Sequence, residues 1–244
     1  MERIDESKIP FLSTEQMVEV DRAMIEDYAI ILIQMMENAG RNLAHTARTR
    51  FLGGDPRGES VVVLAGTGGN GGGAMVCARR LHNWGADVAV VTSRPDEEMT
   101  EIPKHQLAIL RRMDVPVFAA AQVGELRAPD LVVDGVIGYS LKGAPFGEAA
   151  DLIRWANGTG APILALDAPS GLDTTTGTVY EPAIRATATM TLALPKEGLK
   201  AGRDNVGELY LADISVPPGL YGNDALGMDL GPIFATGDVL KLVY

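Results

Sequence analysis

Cysteine is nearly absent from this 244-residue chain. Cys77 stands alone, which excludes an intrachain disulfide and any cysteine-rich metal centre. Histidine is almost as scarce. His45, His82 and His105 lie far apart, each in a stretch with helical patterning, which argues against a Ser-His-Asp hydrolase and against transition-metal spacing. Positive charge is in deficit: 21 Lys and Arg face 32 Asp and Glu, a formal net charge of −11. A polyanion binder needs a basic face, so nucleic acid is not an expected partner. Long apolar runs are missing too. Stretches such as Ala29-Ile30-Ile31-Leu32-Ile33 fall far short of the roughly 20 residues that span a bilayer, so no membrane association is expected. The opening MERIDESKIP is charged and has no apolar segment, so it does not read as a secretory signal. A soluble protein of a reducing, cytoplasmic compartment is the expectation.

What is present is a globular composition, 46% hydrophobic, enough to exclude wholesale disorder. Ser13-Thr14-Glu15-Gln16 reads as a helix start with a capping box, and Met17, Val20, Met24 and Ile25 follow at helical spacing. A second helix is predicted over 31–51. Then the period changes. Val61 to Ala65 is a β-branched run without polar alternation, as expected of a strand buried on both faces. Further strands are predicted at 88–91, 115–118, 131–133, 163–166, 188–193 and 209–212, with helices at 74–84, 98–113 and 149–157. Strands alternating with helices predict a mostly parallel sheet with helices on both faces, in one domain spanning 1–244. Its core is expected over about 12–215. The glycine-rich tail, 216–244, reads as a surface wrap.

Ligands of open α/β sheets bind beyond the carboxyl ends of strands, so those ends matter most. The first ends in Gly66-Thr67-Gly68-Gly69-Asn70-Gly71-Gly72-Gly73, which holds G-x-G-x-x-G at 66, 68 and 71 and predicts close backbone approach to a ligand at a helix start. The acidic residue that a dehydrogenase places about 20 positions on is missing; no carboxylate follows until Asp96. No Gly-Lys-Ser/Thr of a phosphate loop occurs either. A later strand ends in Asp134, followed by a loop through Gly138 to Gly143 in which Lys142 could hold a phosphate. Another ends in Asp167-Ala168-Pro169-Ser170-Gly171-Leu172-Asp173. Asp167, at a sheet edge, is a candidate acid/base. Asn70, Asp134 and Ser170 offer only oxygen-type ligands, which suit a hard cation.

Met36-Glu37-Asn38-Ala39-Gly40, the glycine-rich turn with Asn70 and Ala78-Arg79, Asp134 with its Gly138–Gly143 loop, and Asp167 to Asp173 with Gly177 occur in one order. In that order the sequence resembles the NAD(P)H-hydrate epimerase family, the YjeF N-terminal domain, over about 12–215. The resemblance implies a Rossmann-like three-layer αβα sandwich with two N-terminal helices. It implies interconversion of the R and S forms of hydrated NADH and NADPH, a damaged cofactor that is substrate here. Carried over residue by residue, it implies a potassium site at Asn70, Asp134 and Ser170. It also implies substrate contacts from Gly69, Asn70, Gly71, Gly72, Gly73, Gly138, Tyr139, Ser140, Leu141, Lys142, Gly143, Ala144 and Asp167, with Asp167 catalytic. A separate NAD(P)H-hydrate dehydratase is the implied functional partner, since 244 residues leave no room for a second catalytic domain, and a homodimer is the implied assembly. The family turn reads Asn-Asn-Gly-Gly-Asp-Gly, whereas Gly69, Gly73 and Ala74 stand here for its first Asn, its Asp and its last Gly. The loss of that Asp opens an alternative, a catalytically impaired ligand-binding or scaffold member.

Overall fold

A computed structural model describes residues 2–243. Ser13 caps the first helix, α1 (Thr14–Glu26), through the capping box its sequence predicts: Ser13 Oγ accepts the Gln16 N–H, and Gln16 Oε1 accepts the Ser13 N–H. The second helix, α2 (Leu32–Thr46), runs on through a π-type turn at Ala47–Phe51. Then come β2 (Ser60–Ala65), α3 (Gly69–Asn83), β3 (Asp87–Thr92), α4 (Glu101–Arg112), β4 (Val117–Ala119), β5 (Leu131–Gly135), α5 (Gly147–Gly158), β6 (Ile163–Leu166), β7 (Ala188–Leu192), the short α6 (Gly198–Ala201) and α7 (Arg203–Val206), and β8 (Glu208–Ala212). Two strands lie outside the expected core: β1 (Glu2–Asp5) at the start and β9 (Val239–Val243) in the tail.

The strands form one sheet in the order β1-β9-β8-β7-β6-β5-β2-β3-β4. Every pair is parallel except β8–β9. The chain steps outward from β2 to β3 and β4, then resumes on the other side of β2 with β5. That reversal splays the connections apart between β2 and β5 and opens a crevice at their carboxyl ends.

Central strands carry apolar side chains on both faces, and the faces sort into layers. Val61, Val63, Ala65, Leu131, Val133, Leu164 and Met190 pack with Leu43, Ala74, Met75, Leu107 and Leu110 of α2, α3 and α4. On the opposite face Val62, Leu64, Val132 and Ala165 pack with Leu152, Ile153 and Ala156 of α5. Further along that face Leu209, Leu211 and Leu242 pack with Met17 and Val20 of α1 and with Leu220 and Tyr221 of the tail. The three-layer αβα expectation is met.

Two expectations need correction. The tail is not a wrap alone: β9 pairs with β8 on one side and β1 on the other, with Leu240 and Leu242 buried. And the glycine-rich segment is mostly helix, since α3 begins at Gly69 and not at Ala74. Glycine is a poor helix former, but here bulk is excluded. A Cβ at Gly71 would lie 2.0 Å from Gly66 O, and one at Gly72 would lie 2.4 Å from Met36 Sδ. Among the described residues no helix is long and apolar enough to cross a membrane.

Candidate active site

The crevice at the β2/β5 reversal is a cavity of about 550 Å³. Thr67 to Asn70 line it from the end of β2, Val136 to Ser140 from the end of β5, Leu166 and Asp167 from β6, and Leu192 from β7. Met17, Asp21 and Ile25 of α1 and Leu32, Met35, Met36 and Ala39 of α2 form its outer wall. The three strand ends singled out from the sequence, those of β2, β5 and β6, thus meet in one place, joined by the end of β7.

Asp167 holds a left-handed backbone (φ 67°), unusual for a residue with a side chain and typical of strained functional positions. Its own N–H donates to Met190 O at 2.7 Å, which pins the turn to β7. Its carboxylate is nearly buried. Oδ2 accepts the Tyr139 N–H at 3.3 Å, and Oδ1 is bonded to Lys196 Nζ. Lys196 is fully buried and also donates to Leu192 O at 3.0 Å and Thr191 Oγ1 at 3.3 Å. The buried ammonium therefore has three acceptors within the protein, and the pair is held in a fixed geometry.

Lys196 was not among the residues singled out from the sequence. Only its place, in Leu194-Pro195-Lys196-Glu197-Gly198 a few residues past an apolar strand, signals it, and that context also fits a solvated loop lysine. Asp21 was missed as well. Its Oδ2 accepts the Tyr139 hydroxyl at 2.5 Å, and burial raises its carboxyl above the usual range, against the pull of that hydrogen bond. Burial, then the Asp21 charge, likewise pushes the Tyr139 phenol up.

Beneath the cleft lies the second cluster. Asp134 is fully buried at the end of β5. Its Oδ1 accepts Ser170 Oγ–H at 2.6 Å and the Val136 N–H at 3.2 Å, and its Oδ2 accepts the Ser170 N–H at 2.8 Å. Ser170 Oγ in turn accepts the Ile137 N–H at 2.8 Å. Burial lifts the Asp134 carboxyl to about 6, against those bonds. Beside this cluster Asn70 presses on Gly138, where a Cβ would meet its amide at 3.1 Å, and Asn70 Nδ2 is buried without a hydrogen-bond partner.

The remaining predicted contacts divide. Gly69, Asn70, Gly138, Tyr139 and Ser140 line the cleft. Gly71, Gly72 and Gly73 are buried in α3 behind it. Lys142, Gly143 and Ala144 are exposed and, with Leu141, lie outside the lining. A Cβ at Gly69 would meet open space, and one at Gly73 would press 2.9 Å from Leu166 Cδ2 and toward Ala39, both lining residues. The α3 N-terminus has no side-chain cap at Gly68, and Gly68, Gly69 and Asn70 line the cleft there, which makes this helix start a natural anion seat.

Comparison with known proteins shows the family to which this fold belongs. A family model described as "YjeF-related protein N-terminus" matches residues 32–198. The NAD(P)H-hydrate epimerase of Dehalogenimonas lykanthroporepellens is 42% identical over 231 residues, covering 93% of this chain and 90% of the relative. The Bifunctional NAD(P)H-hydrate repair enzyme Nnr of Salinibacter ruber is 37% identical, but the match spans 86% of this chain and 41% of that longer protein. The crystal structure of yeast ynu0 (YNL200c) superposes with a TM-score of 0.83 at 26% identity, covering 96% of this chain and 100% of the yeast chain. With a family model over most of its length and relatives matched nearly end to end, the chain belongs to the YjeF-related N-terminal family.

Proposed function

We propose that this protein epimerises hydrated NADH and NADPH, interconverting their R and S forms at the hydroxyl-bearing carbon of the nicotinamide ring. The observation that carries the reading is the buried Asp167–Lys196 pair on the floor of a cleft rimmed by a free helix N-terminus. Inversion at that carbon needs the C–O bond to break as a proton reaches the departing oxygen. The ring nitrogen's lone pair then holds the carbon as an iminium, and water adds on the other face and gives a proton back. The Asp167–Lys196 pair is placed to give and retake that proton: the buried ammonium supplies the proton that the carboxylate passes to the departing oxygen, the incoming water returns it, and the negative carboxylate faces the transient cation meanwhile. Lys196 stands on Oδ1 and leaves Oδ2 toward the Tyr139 loop. The phosphates belong on the α3 N-terminus at Gly69 and Asn70, with Gly138, Tyr139 and Ser140 closing over the ring.

The impaired-member alternative gains nothing from the structure. Position 69 is open space, and Asp21 supplies the cleft with a second carboxyl group. The relatives matched nearly end to end are named as epimerases. The test supplies the R form of hydrated NADPH together with an S-specific dehydratase. Consumption faster than spontaneous epimerisation is expected, and Asp167→Asn should cut it by about 10²–10⁴-fold. Folded wild-type protein that gives no acceleration would overturn the reading.

Potassium fits the residues present. The available donors are oxygens: Asn70 Oδ1, Ser170 Oγ and the buried Asp134 carboxylate, which is hydrogen-bonded to Ser170 and to the Val136 N–H. Asn70, Asp134 and Ser170 would hold the ion, which supplies positive charge near the substrate phosphates. A higher melting temperature in potassium than in lithium chloride, lost in Ser170→Ala, is the expected readout.

A dehydratase acting on the S form, supplied from outside these 244 residues, is the functional partner, since the longer relatives carry the name bifunctional. A cytoplasmic setting suits the single buried thiol, Cys77. Pairing of two copies is supported by exposed Val18, Ile25, Tyr28, Ile31 and Leu32 on α1 and the start of α2, and light scattering checks it.

A further inference from the structure

A second cavity, larger than the cleft, lies elsewhere in the molecule. It measures about 780 Å³ and lies between the second half of α2, the end of α3 and strands β1, β8 and β9. It shares no lining residue with the cleft. On a chain of net charge −11, its walls carry Arg3, Arg41, Arg48, Arg50, Arg80 and Lys241 against two carboxylates, Glu2 and Asp238. We propose that this cavity binds a nucleotide-sized, phosphate-bearing anion.

Part of the positive charge is already spoken for. Arg41 pairs with Asp238 at 3.0 Å, and Arg50 and Lys241 share Glu208 at 3.0 and 3.1 Å. Arg3, Arg48 and Arg80 are what remain. Arg80 reaches Glu37 only at 3.5 Å, and its Nε is buried with no acceptor. A buried, unmet guanidinium donor costs stability unless something accepts it. Arg48 Cζ lies over the Trp84 ring, 4.2 Å from its centroid, while its Nη2 reaches His45 Nδ1 at 3.2 Å. Burial, and then Arg48 itself, lowers the His45 imidazole below its ordinary value, so the ring adds no charge.

Size and shape narrow the ligand. The volume greatly exceeds that of one phosphate group and falls within the range of small-molecule sites, about 300–1,000 Å³. Forked guanidinium groups match phosphate oxygens in pairs. A guanidinium already stacked on tryptophan offers its outer face to a second flat ring. Cations gathered on an otherwise acidic protein repel one another and concentrate the local field on an incoming anion. A nucleoside diphosphate satisfies all of these at once, with the phosphates at Arg3 and Arg80 and the base on Arg48.

The protein provides its own reporter. Its two tryptophans are Trp84 and Trp155, and Trp155 sits on α5, on the opposite face of the sheet. In Trp155→Phe protein, emission therefore reports on this cavity and is blind to binding in the cleft alone. Titration with ADP should change Trp84 emission saturably, inorganic pyrophosphate should compete, and adenosine should not bind. Arg48→Glu and Arg3→Glu should each weaken ADP at least about tenfold. Arg127→Glu, an equal charge change at an exposed site elsewhere, should not. The proposal is overturned by silence of Trp84 with ADP in protein carrying all its arginines. It is equally overturned by a response that sodium chloride of equal ionic strength reproduces, by adenosine binding as well as ADP, or by ADP affinity that survives both reversals.

Discussion

Asp167 announces itself because a carboxylate directly after an apolar strand has few other reasons to be there. Lys196 does not, because nothing local tells a buried ammonium from a solvated one; the sheet must first bring β6 and β7 side by side. Their interdependence is measurable. Lys196→Met strands a buried carboxylate and Asp167→Asn strands a buried ammonium, so each should cost about 3–5 kcal/mol. The double variant should recover most of that loss, read as urea midpoints at unchanged slope. Glu208 shows a second residue-scale effect. Arg50, then Tyr210 and Lys241, hold its carboxyl down at about 2 against the opposing effect of burial. A depressed carboxyl contributes stability above its unfolded pKa and loses it as pH falls through the folded one. The contribution is therefore full above about pH 4.5 and fades toward pH 2. For this partly exposed group it amounts to about 1 kcal/mol, and Glu208→Gln should flatten the acid limb of stability between those limits.

Among the elements, α1 and the central strands were legible because each carries its own signal: a capping box in one, continuous β-branched runs in the others. The start of α3 was not. Glycine's helix penalty points to a turn, and only the nearness of α2 and the β2–β5 ends explains why glycine is used inside the helix. Gly40 shows the same constraint from the other side. A Cβ there would lie 2.4 Å from Val76 Cβ and 2.5 Å from Gly73 O, a clash with backbone that no rotamer relieves. Gly40→Ala should therefore destabilise by about 1–3 kcal/mol, although alanine is the better helix former. Gly69→Ala, with open space around it, should leave the denaturation midpoint nearly unchanged or raise it.

Across the whole molecule the first and last strands meet. β9 lies between β1 and β8, and Leu220, Tyr221 and Leu226 of the tail help fill the core over α1. Removing 217–244 should uncover the edge of β8 and leave β1 without a partner. Lower thermal stability and association through the bared edge are the expected result, checked by calorimetry and light scattering. One sheet carrying both ends supports a single folding unit for the chain, and coincident unfolding by circular dichroism and Trp fluorescence is the outcome that agrees with it. By itself the sequence determined the alternation of strand and helix, the layers that follow from it, and the three strand-end segments that carry Asn70, Asp134 and Asp167, because period, caps and strand-end polarity are local properties. Tertiary structure alone decided which strand lies beside which. Thereby it set the ammonium that Asp167 meets, the use of both chain ends as strands, and the gathering of scattered arginines into one cavity on an acidic surface. Those outcomes depend on residues up to the length of the chain apart, and no window of sequence contains them.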